Sequence, residues 1–126
     1  MSEASVREWF ERYDALVAAE DFEGMADLAL FPLNEVTDDG KGTGSAIQID
    51  RAAYIAQMKE VVGAGEVRFD TTRTPHFLSD DLVFVITDGT MTYVESGQTV
   101  PSRYGDLLVK VDGDWKFQTM VQGGWG

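Results

Sequence analysis

The stretch LVFVITDGTMTYVESGQTVPSRYGDLLVKVDGDWKFQTMVQ, residues 82–122, carries three β-strands in succession. They run from Leu82 to Glu95, from about Thr99 to Val111, and from Trp115 to Gln122. All three are rich in β-branched and aromatic residues, and turn residues separate them, around Gly97 and at Asp112-Gly113-Asp114. Strands joined by such short turns pair as an antiparallel meander. One strand precedes them, from Glu66 to about Pro75, ahead of a turn at Ser79-Asp80-Asp81. Gly89 and Gly105 fall in mid-strand, where glycine marks a bulge or a sharp bend. With the hairpin centred on Gly97 the two glycines oppose each other. A sheet bent there curls around its helices and leaves a hollow between helix and sheet.

Those helices lie upstream. Ser5 and Glu8 have the spacing of a capping box, and Val6, Trp9, Phe10, Tyr13, Leu16 and Val17 then recur at helical intervals. Asp21 is placed to cap a second, short helix carrying Phe22, Met25, Leu28 and Ala29, with Pro32 as its terminator. Leu33 to Thr37 reads as a short strand, residues 38–44 (DDGKGTG) as a turn, and Ser45 to Ile49 as the returning strand. Asp50 caps a third helix with Tyr54, Ile55, Met58, Val61 and Val62 on its apolar side, closed by Gly63 and Gly65. The fold class is therefore α+β: N-terminal helices packed on a strongly bent antiparallel sheet, cone-like, an α+β roll of the cystatin kind. With 126 residues, no internal repeat and no linker, residues 1–126 are expected to form a single domain.

Hydrophobic residues make up 44% of the chain, enough for a real core, while the formal net charge is −12. That charge repels phosphate backbones and anionic bilayers, so neither nucleic acid nor membrane is an expected partner. With no apolar run that spans a bilayer, no signal-peptide pattern after Met1 and no cysteine, a cytoplasmic location is expected. The lack of cysteine excludes disulfides, thiol catalysis and zinc–thiolate sites, and a lone histidine, His76, cannot build a histidine-rich metal site. No metal and no cofactor are expected. Residues 40–44 (GKGTG) lack Walker spacing and lead into a strand, so they are not a phosphate loop.

Helices first, then a helix-flanked hairpin, then a long bent sheet ending in residues 106–120 (DLLVKVDGDWKFQTM): this resembles the nuclear transport factor 2-like superfamily, in its polyketide-cyclase-like and ketosteroid-isomerase-like branch. The resemblance covers nearly the whole chain in element order. Such folds serve isomerases, dehydratases, cyclases, hydrolases and non-catalytic binding modules, so the fold alone selects no function. Ketosteroid-isomerase-like sites combine a tyrosine on the first helix, a carboxylate base and a protonated carboxylic acid in an apolar pocket. The resemblance puts Tyr13 in the first role and Asp38 or Asp39 near the second. For the third it places Leu107, with Asp106 one residue away on the opposite face, which counts against that chemistry unless a bulge at Gly105 turns Asp106 inward.

Strand faces follow from pairing. Val111 opposite Trp115 groups Leu107, Val109, Phe117, Thr119 and Val121. The hairpin at Gly97 adds Val83, Val85, Thr87, Met91, Tyr93 and Arg103 to this helix-facing side. The expected pocket is lined by Trp9, Tyr13, Met91, Tyr93, Arg103 and Thr119, for a small apolar or anionic ligand. Tyr13 also reads as an ordinary core tyrosine, and Asp38 and Asp39 as turn residues. Arg103 on a concave face needs an anion, either a buried carboxylate or a ligand. Trp125 reads as a lid or a frayed end. On the outer face Phe84, Ile86, Tyr104, Leu108 and Met120 are left without a cover, which predicts a homodimer through that surface. Asp88 and Asp106 are expected to face each other there. Opposed like charges predict a retained proton, an intervening cation (Lys110 or one from a partner chain), or a broken register that turns one of them into the hollow; the pair also reads as two solvated aspartates at a strand edge, screened by solvent. Asp106, Asp88 and Tyr13 are thus the catalytic candidates. Two functions compete: a small-molecule pocket with acid/base isomerase, cyclase or dehydratase-like chemistry, and a non-catalytic, self-associating binding module.

Overall fold

The computed structural model describes residues 3–62 and 66–124. Its elements are α1 (Glu3–Ala18), α2 (Phe22–Asp27), β1 (Ala29–Asp38), β2 (Gly44–Ile49), α3 (Arg51–Val62), β3 (Val67–Ser79), β4 (Leu82–Tyr93), β5 (Thr99–Val111) and β6 (Asp114–Gln122). Asp21 caps α2 by accepting from the Gly24 N–H at 2.9 Å, and Asp50 caps α3 through the Ala53 N–H at 2.9 Å. Ser5 is not a cap. It lies inside α1, and its hydroxyl accepts from the Trp115 indole at 3.2 Å, fastening the helix to β6. Pro32 does not end α2, which stops at Asp27; it lies within β1, where the register against β6 shifts. Gly63, Gly65 and Trp125 lie outside the described residues.

One six-stranded sheet runs in the order β2-β1-β6-β5-β4-β3. It is mixed, not wholly antiparallel. The meander β3 to β6 pairs antiparallel, but β1 joins β6 in parallel, because the Leu28 carbonyl accepts from the Phe117 N–H and starts β1 alongside β6 in the same direction. Val6, Trp9 and Phe10 of α1, Met25 of α2 and Tyr54 and Met58 of α3 share a buried cluster with Leu33, Val83, Val85, Leu108, Trp115 and Phe117 of the sheet. The helices therefore cover one face, called the inner face below.

The glycines work separately. At Gly89 (φ +154°) an added Cβ would come within 2.1 Å of the Asp70 carbonyl oxygen, so β3 and β4 approach there too closely for any side chain. Gly105 lies under the Phe84 ring on the outer face, 2.6 Å from where its Cβ would be. They are not opposite each other: Gly89 pairs with Ser102 and Gly105 with Ile86.

The cause is the β4–β5 hairpin. Tyr93 and Gln98 close a loop of Val94 to Gly97, with the Tyr93 N–H donating to the Gln98 carbonyl at 2.9 Å and the Gly97 N–H to the Tyr93 carbonyl at 2.8 Å. Gly97, at φ +74°, takes the last position of that loop rather than its centre. Partners across the hairpin consequently move by three residues, an odd number, and β5 turns over relative to the expected alignment. A bulge at Gln118 on β6, the extra residue between the partners of Leu107 and Leu108, also rotates the start of β6. Leu108 and Phe117 face inward together, while Leu107 pairs with Thr119 on the outside.

Candidate functional site

Two rungs of the inner face carry polar side chains. One reads Pro75 (β3), Val85 (β4), Asp106 (β5), Met120 (β6), Glu35 (β1); the next reads Arg73, Thr87, Tyr104, Gln122. Asp106 thus faces the helices. The inward turn comes from the hairpin phase and not from a bulge at Gly105. Asp106 and Glu35 share a rung with Met120 between them, so two strand spacings, about 10 Å, separate their backbones.

Two tyrosines stand over this floor. Tyr13 of α1 and Tyr54 of α3 share a hydrogen bond at 3.1 Å. Tyr13 is stacked on Trp9 at 5.5 Å, and both tyrosines meet the Phe117 ring at 5.6 Å. The Trp9 indole donates to the Trp115 carbonyl at 2.9 Å and locks the stack in place. One hydroxyl proton is used between the two tyrosines, which leaves the other free to be donated.

Burial sets the chemistry. Desolvation pushes the Asp106 carboxyl up to about 7, against a downward pull from the Arg73 charge. Desolvation, and then the neighbouring Tyr54 and Asp106, hold the Tyr13 phenol well above its ordinary value. Tyr54 is pushed up to about 12 by desolvation, with Asp106 and Glu35 adding to it and the bond to Tyr13 opposing it. Tyr104 is raised, again chiefly by burial, beside Arg73 and Thr87. Glu35 is 5% exposed, and its Oε2 has no hydrogen-bond partner among the described residues; the Thr87 hydroxyl and Arg73 Nε share that condition. Asp106, Tyr104, Tyr13 and Met120 keep partial exposure.

Arg73 connects this floor to α1. Its guanidinium donates to Asp14 through both terminal nitrogens, at 2.7 and 2.9 Å, and lies 4.2 Å from the centre of the Phe10 ring. Beside it a cavity of about 280 Å³ opens between α1 and β3, walled by Val6, Phe10, Thr71 and Arg73. It ends against Val85, the residue directly opposite Asp106. A second hollow, about 230 Å³, lies on the outer face around Phe84, Ile86, Arg103 and Gly105.

The structure does not bring the expected pocket together. Trp9 is buried in the core beside Tyr13. Met91 and Tyr93 extend toward the hairpin tip, Tyr93 42% exposed, and pair with Phe69 and Val67 of β3. Thr119 faces outward and accepts from the Asn34 amide at 3.3 Å. Arg103 has a side chain 71% exposed and lies 3.6 Å from Asp88, its cross-strand partner. That pair also dissolves the expected opposition of Asp88 and Asp106, since Asp106 pairs with Val85. Asp88 is exposed and outside the inner floor. Asp38 is the last residue of β1, paired with Gly44, and accepts from the Gly124 N–H; Asp39 opens the turn and accepts from the Lys41 and Thr43 N–H groups. Of the expected outer surface, Phe84 and Ile86 do face outward, but Tyr104, Leu108 and Met120 face the helices, for the register reasons given above.

Glu35, Tyr54 and Arg73 escaped the sequence reading. Glu35 is two residues beyond Leu33 on the same strand, so period-2 alternation already marks it as core-facing. Tyr54 belongs to the apolar side of α3, where no neighbouring residue in the sequence singles out its hydroxyl. Arg73 has no local signal. Among the described residues no group of three His, Cys, Asp or Glu side chains is placed to hold a metal ion, and no helix is long and apolar enough to cross a membrane.

No protein-family profile matches this sequence, and no curated protein does. Solved structures do match its fold. One is a nuclear transport factor 2-like protein with a cystatin-like fold from Novosphingobium aromaticivorans, 16% identical, covering 95% of this chain and 79% of that one at a TM-score of 0.69. Another is a candidate dehydratase from the same family from Streptomyces avermitilis, 14% identical, covering 95% and 93% at 0.69. A third is a candidate calcium/calmodulin-dependent protein kinase II association domain from Xanthomonas campestris, 20% identical, covering 98% and 88% at 0.73. At these identities the likeness is one of fold, and the fold is nuclear transport factor 2-like.

Proposed function

We propose that this nuclear transport factor 2-like domain binds a small carbonyl compound against its inner face and moves a proton next to the carbonyl, as an isomerase or dehydratase does. The observation that carries this reading is the Asp106 carboxyl, pushed up to about 7 on a rung shared with the buried Glu35. Near neutral pH such an acid is present both with and without its proton, the condition for general acid–base work. In its protonated form Asp106 donates to the substrate oxygen together with the free hydroxyl proton of the Tyr13–Tyr54 pair. Donors already in place cost no reorganisation when charge develops on that oxygen. Glu35 Oε2, buried and unpartnered, takes the proton from the adjacent carbon. Returning it to another carbon isomerises the substrate; losing a β-hydroxyl as water dehydrates it.

The test is hydrogen exchange. A panel of cyclic and aryl ketones in deuterated buffer is followed by NMR for loss of the α-proton signal. Exchange at least tenfold above buffer, abolished in Asp106→Asn and cut in Glu35→Gln, supports the proposal. Exchange equal in all three proteins would refute it.

A second reading rests on a different observation. The helices leave the outer face bare, and Phe84, Ile86, Leu107, Val109 and Val121 lie on it partly exposed. A surface of this kind supports self-association between two copies of the chain, and the Xanthomonas match is itself described as an association domain. Sedimentation of the protein at micromolar concentration should give a dimer that Leu107→Asp converts to a monomer. A monomeric wild type removes this reading.

A further inference from the structure

We propose that Arg73 is a positioning residue for the proton on Asp106, and that Asp14 on α1 governs how much of the Arg73 charge that proton feels. The geometry is a chain of three groups across two layers. Asp14, with a side chain 52% exposed, grips the terminal nitrogens of Arg73 from the helix side. Phe10 fixes the guanidinium plane from above at 4.2 Å. Arg73 lies one rung along and two strands across from Asp106, with Thr87 and Tyr104 on its own rung and the Tyr104 hydroxyl interacting with its guanidinium. The Phe10 ring and the largely buried position of the side chain, 27% exposed, keep the guanidinium over the inner floor without Asp14, so Asp14 changes the charge felt there and not its place.

The groups facing Asp106 are few. They are Tyr13 on α1, Tyr54 on α3, Glu35 on β1, Tyr104 on β5 and Arg73 on β3; β4 and β6 present the uncharged Val85 and Met120. Both tyrosines over the floor stay neutral in the physiological range, as does Tyr104. Arg73 is therefore the one cation in that set, and it favours the ionised carboxylate, while burial opposes it. Asp14 bears on the balance indirectly. Its carboxylate offsets part of the guanidinium charge, so removing it strengthens the pull on Asp106, whereas removing Arg73 abolishes the pull. The two substitutions act in opposite directions, although each breaks the same ion pair.

This inference rests on reading Asp106 as the proton-transfer group, and one experiment separates the two. The Asp106 carboxyl is followed by carbon-detected NMR from pH 4 to pH 9 in the wild type, Asp14→Asn, Arg73→Met and Arg73→Lys. The expected result is a midpoint raised by about one pH unit in Arg73→Met, lowered in Asp14→Asn, and close to wild type in Arg73→Lys. Midpoints that move the same way in Asp14→Asn and Arg73→Met, or do not move, overturn the proposal, because a merely structural ion pair predicts that pattern. Asp14 is exposed, so Asp14→Asn decides the matter alone if Arg73→Met does not fold: a midpoint at or above wild type overturns it. Ketone exchange measured on the same samples tests the other reading. Opposed midpoints with exchange that survives Asp106→Asn would leave the electrostatic coupling standing and remove the acid/base site.

Discussion

Replacing Asp106 with asparagine should make the protein more stable at alkaline pH, and the size of the gain follows from burial. A carboxyl that titrates at 3.8 when exposed and at about 7 in the fold is penalised whenever it is forced to ionise. Between those two values the native state holds a proton that the unfolded chain has released. Stability therefore falls as pH rises through that window and levels off above about 7. The full penalty is about 4 kcal/mol, at 1.36 kcal/mol for each pH unit between the two values. Between pH 5 and pH 8 about 2.5 kcal/mol of it should develop. The partial exposure of Asp106 makes both figures upper values. The chain carries 22 acidic residues, so its overall pH response mixes many groups. The difference between wild type and Asp106→Asn isolates one of them. Urea unfolding of both proteins at pH 5, 6, 7 and 8 should show the variant gaining steadily on the wild type, up to pH 7 to 8. A difference that stays flat across the range would refute the raised carboxyl, and with it the main support for acid/base chemistry at this position.

Other consequences are smaller in scope. Tyr54 should remain a neutral phenol at pH 11, so an absorbance titration should show it ionising only near 12; Tyr13→Phe, which leaves the buried Tyr54 hydroxyl without its partner, should cost about 1–3 kcal/mol in urea unfolding. Gly89→Ala should be among the most damaging single changes, at more than about 3 kcal/mol, because the obstacle is the Asp70 carbonyl in a neighbouring strand. Gly105→Ala meets only the Phe84 ring, which can rotate away, and should cost about 1–2 kcal/mol by the same assay. Arg51, which bridges Glu23 and Asp27 on the surface, should be replaceable by alanine with no resolvable shift of the urea midpoint, because exposed ion pairs are screened by solvent.

What the sequence conveyed and what it withheld divide along physical lines. Helix and strand identity follow from local periodicity, so α1, α3 and the four strands of the meander were legible within a few residues. The faces of those strands are not local. They depend on how each hairpin is phased, and a single glycine is compatible with more than one phase. Placed at the centre, Gly97 puts Asp106 and Leu108 on the outside; placed at the end of a loop closed by Tyr93 and Gln98, it puts both inside. The residues themselves held a clue. The central reading sets Asp88 opposite Asp106, one like charge against another, whereas the other gives Asp88 its arginine at position 103. An exposed ion pair of that kind contributes little to stability, but a register is a choice between near-equal alternatives, and a small difference decides it. The same step carries the functional consequence. Asp106 reaches the Tyr13–Tyr54 pair only in the register that gives Asp88 its arginine, so the surface pairing on one face and the buried carboxyl on the other are two results of one hairpin phase. A loop insertion of one residue between Val94 and Gly97 should therefore act on both at once. It should expose Asp106, return its titration to the ordinary carboxylate range and abolish any exchange activity while the helical content is retained. An inserted variant whose Asp106 still titrates near 7 would show that burial of that carboxyl is set by the sheet body and not by its hairpin.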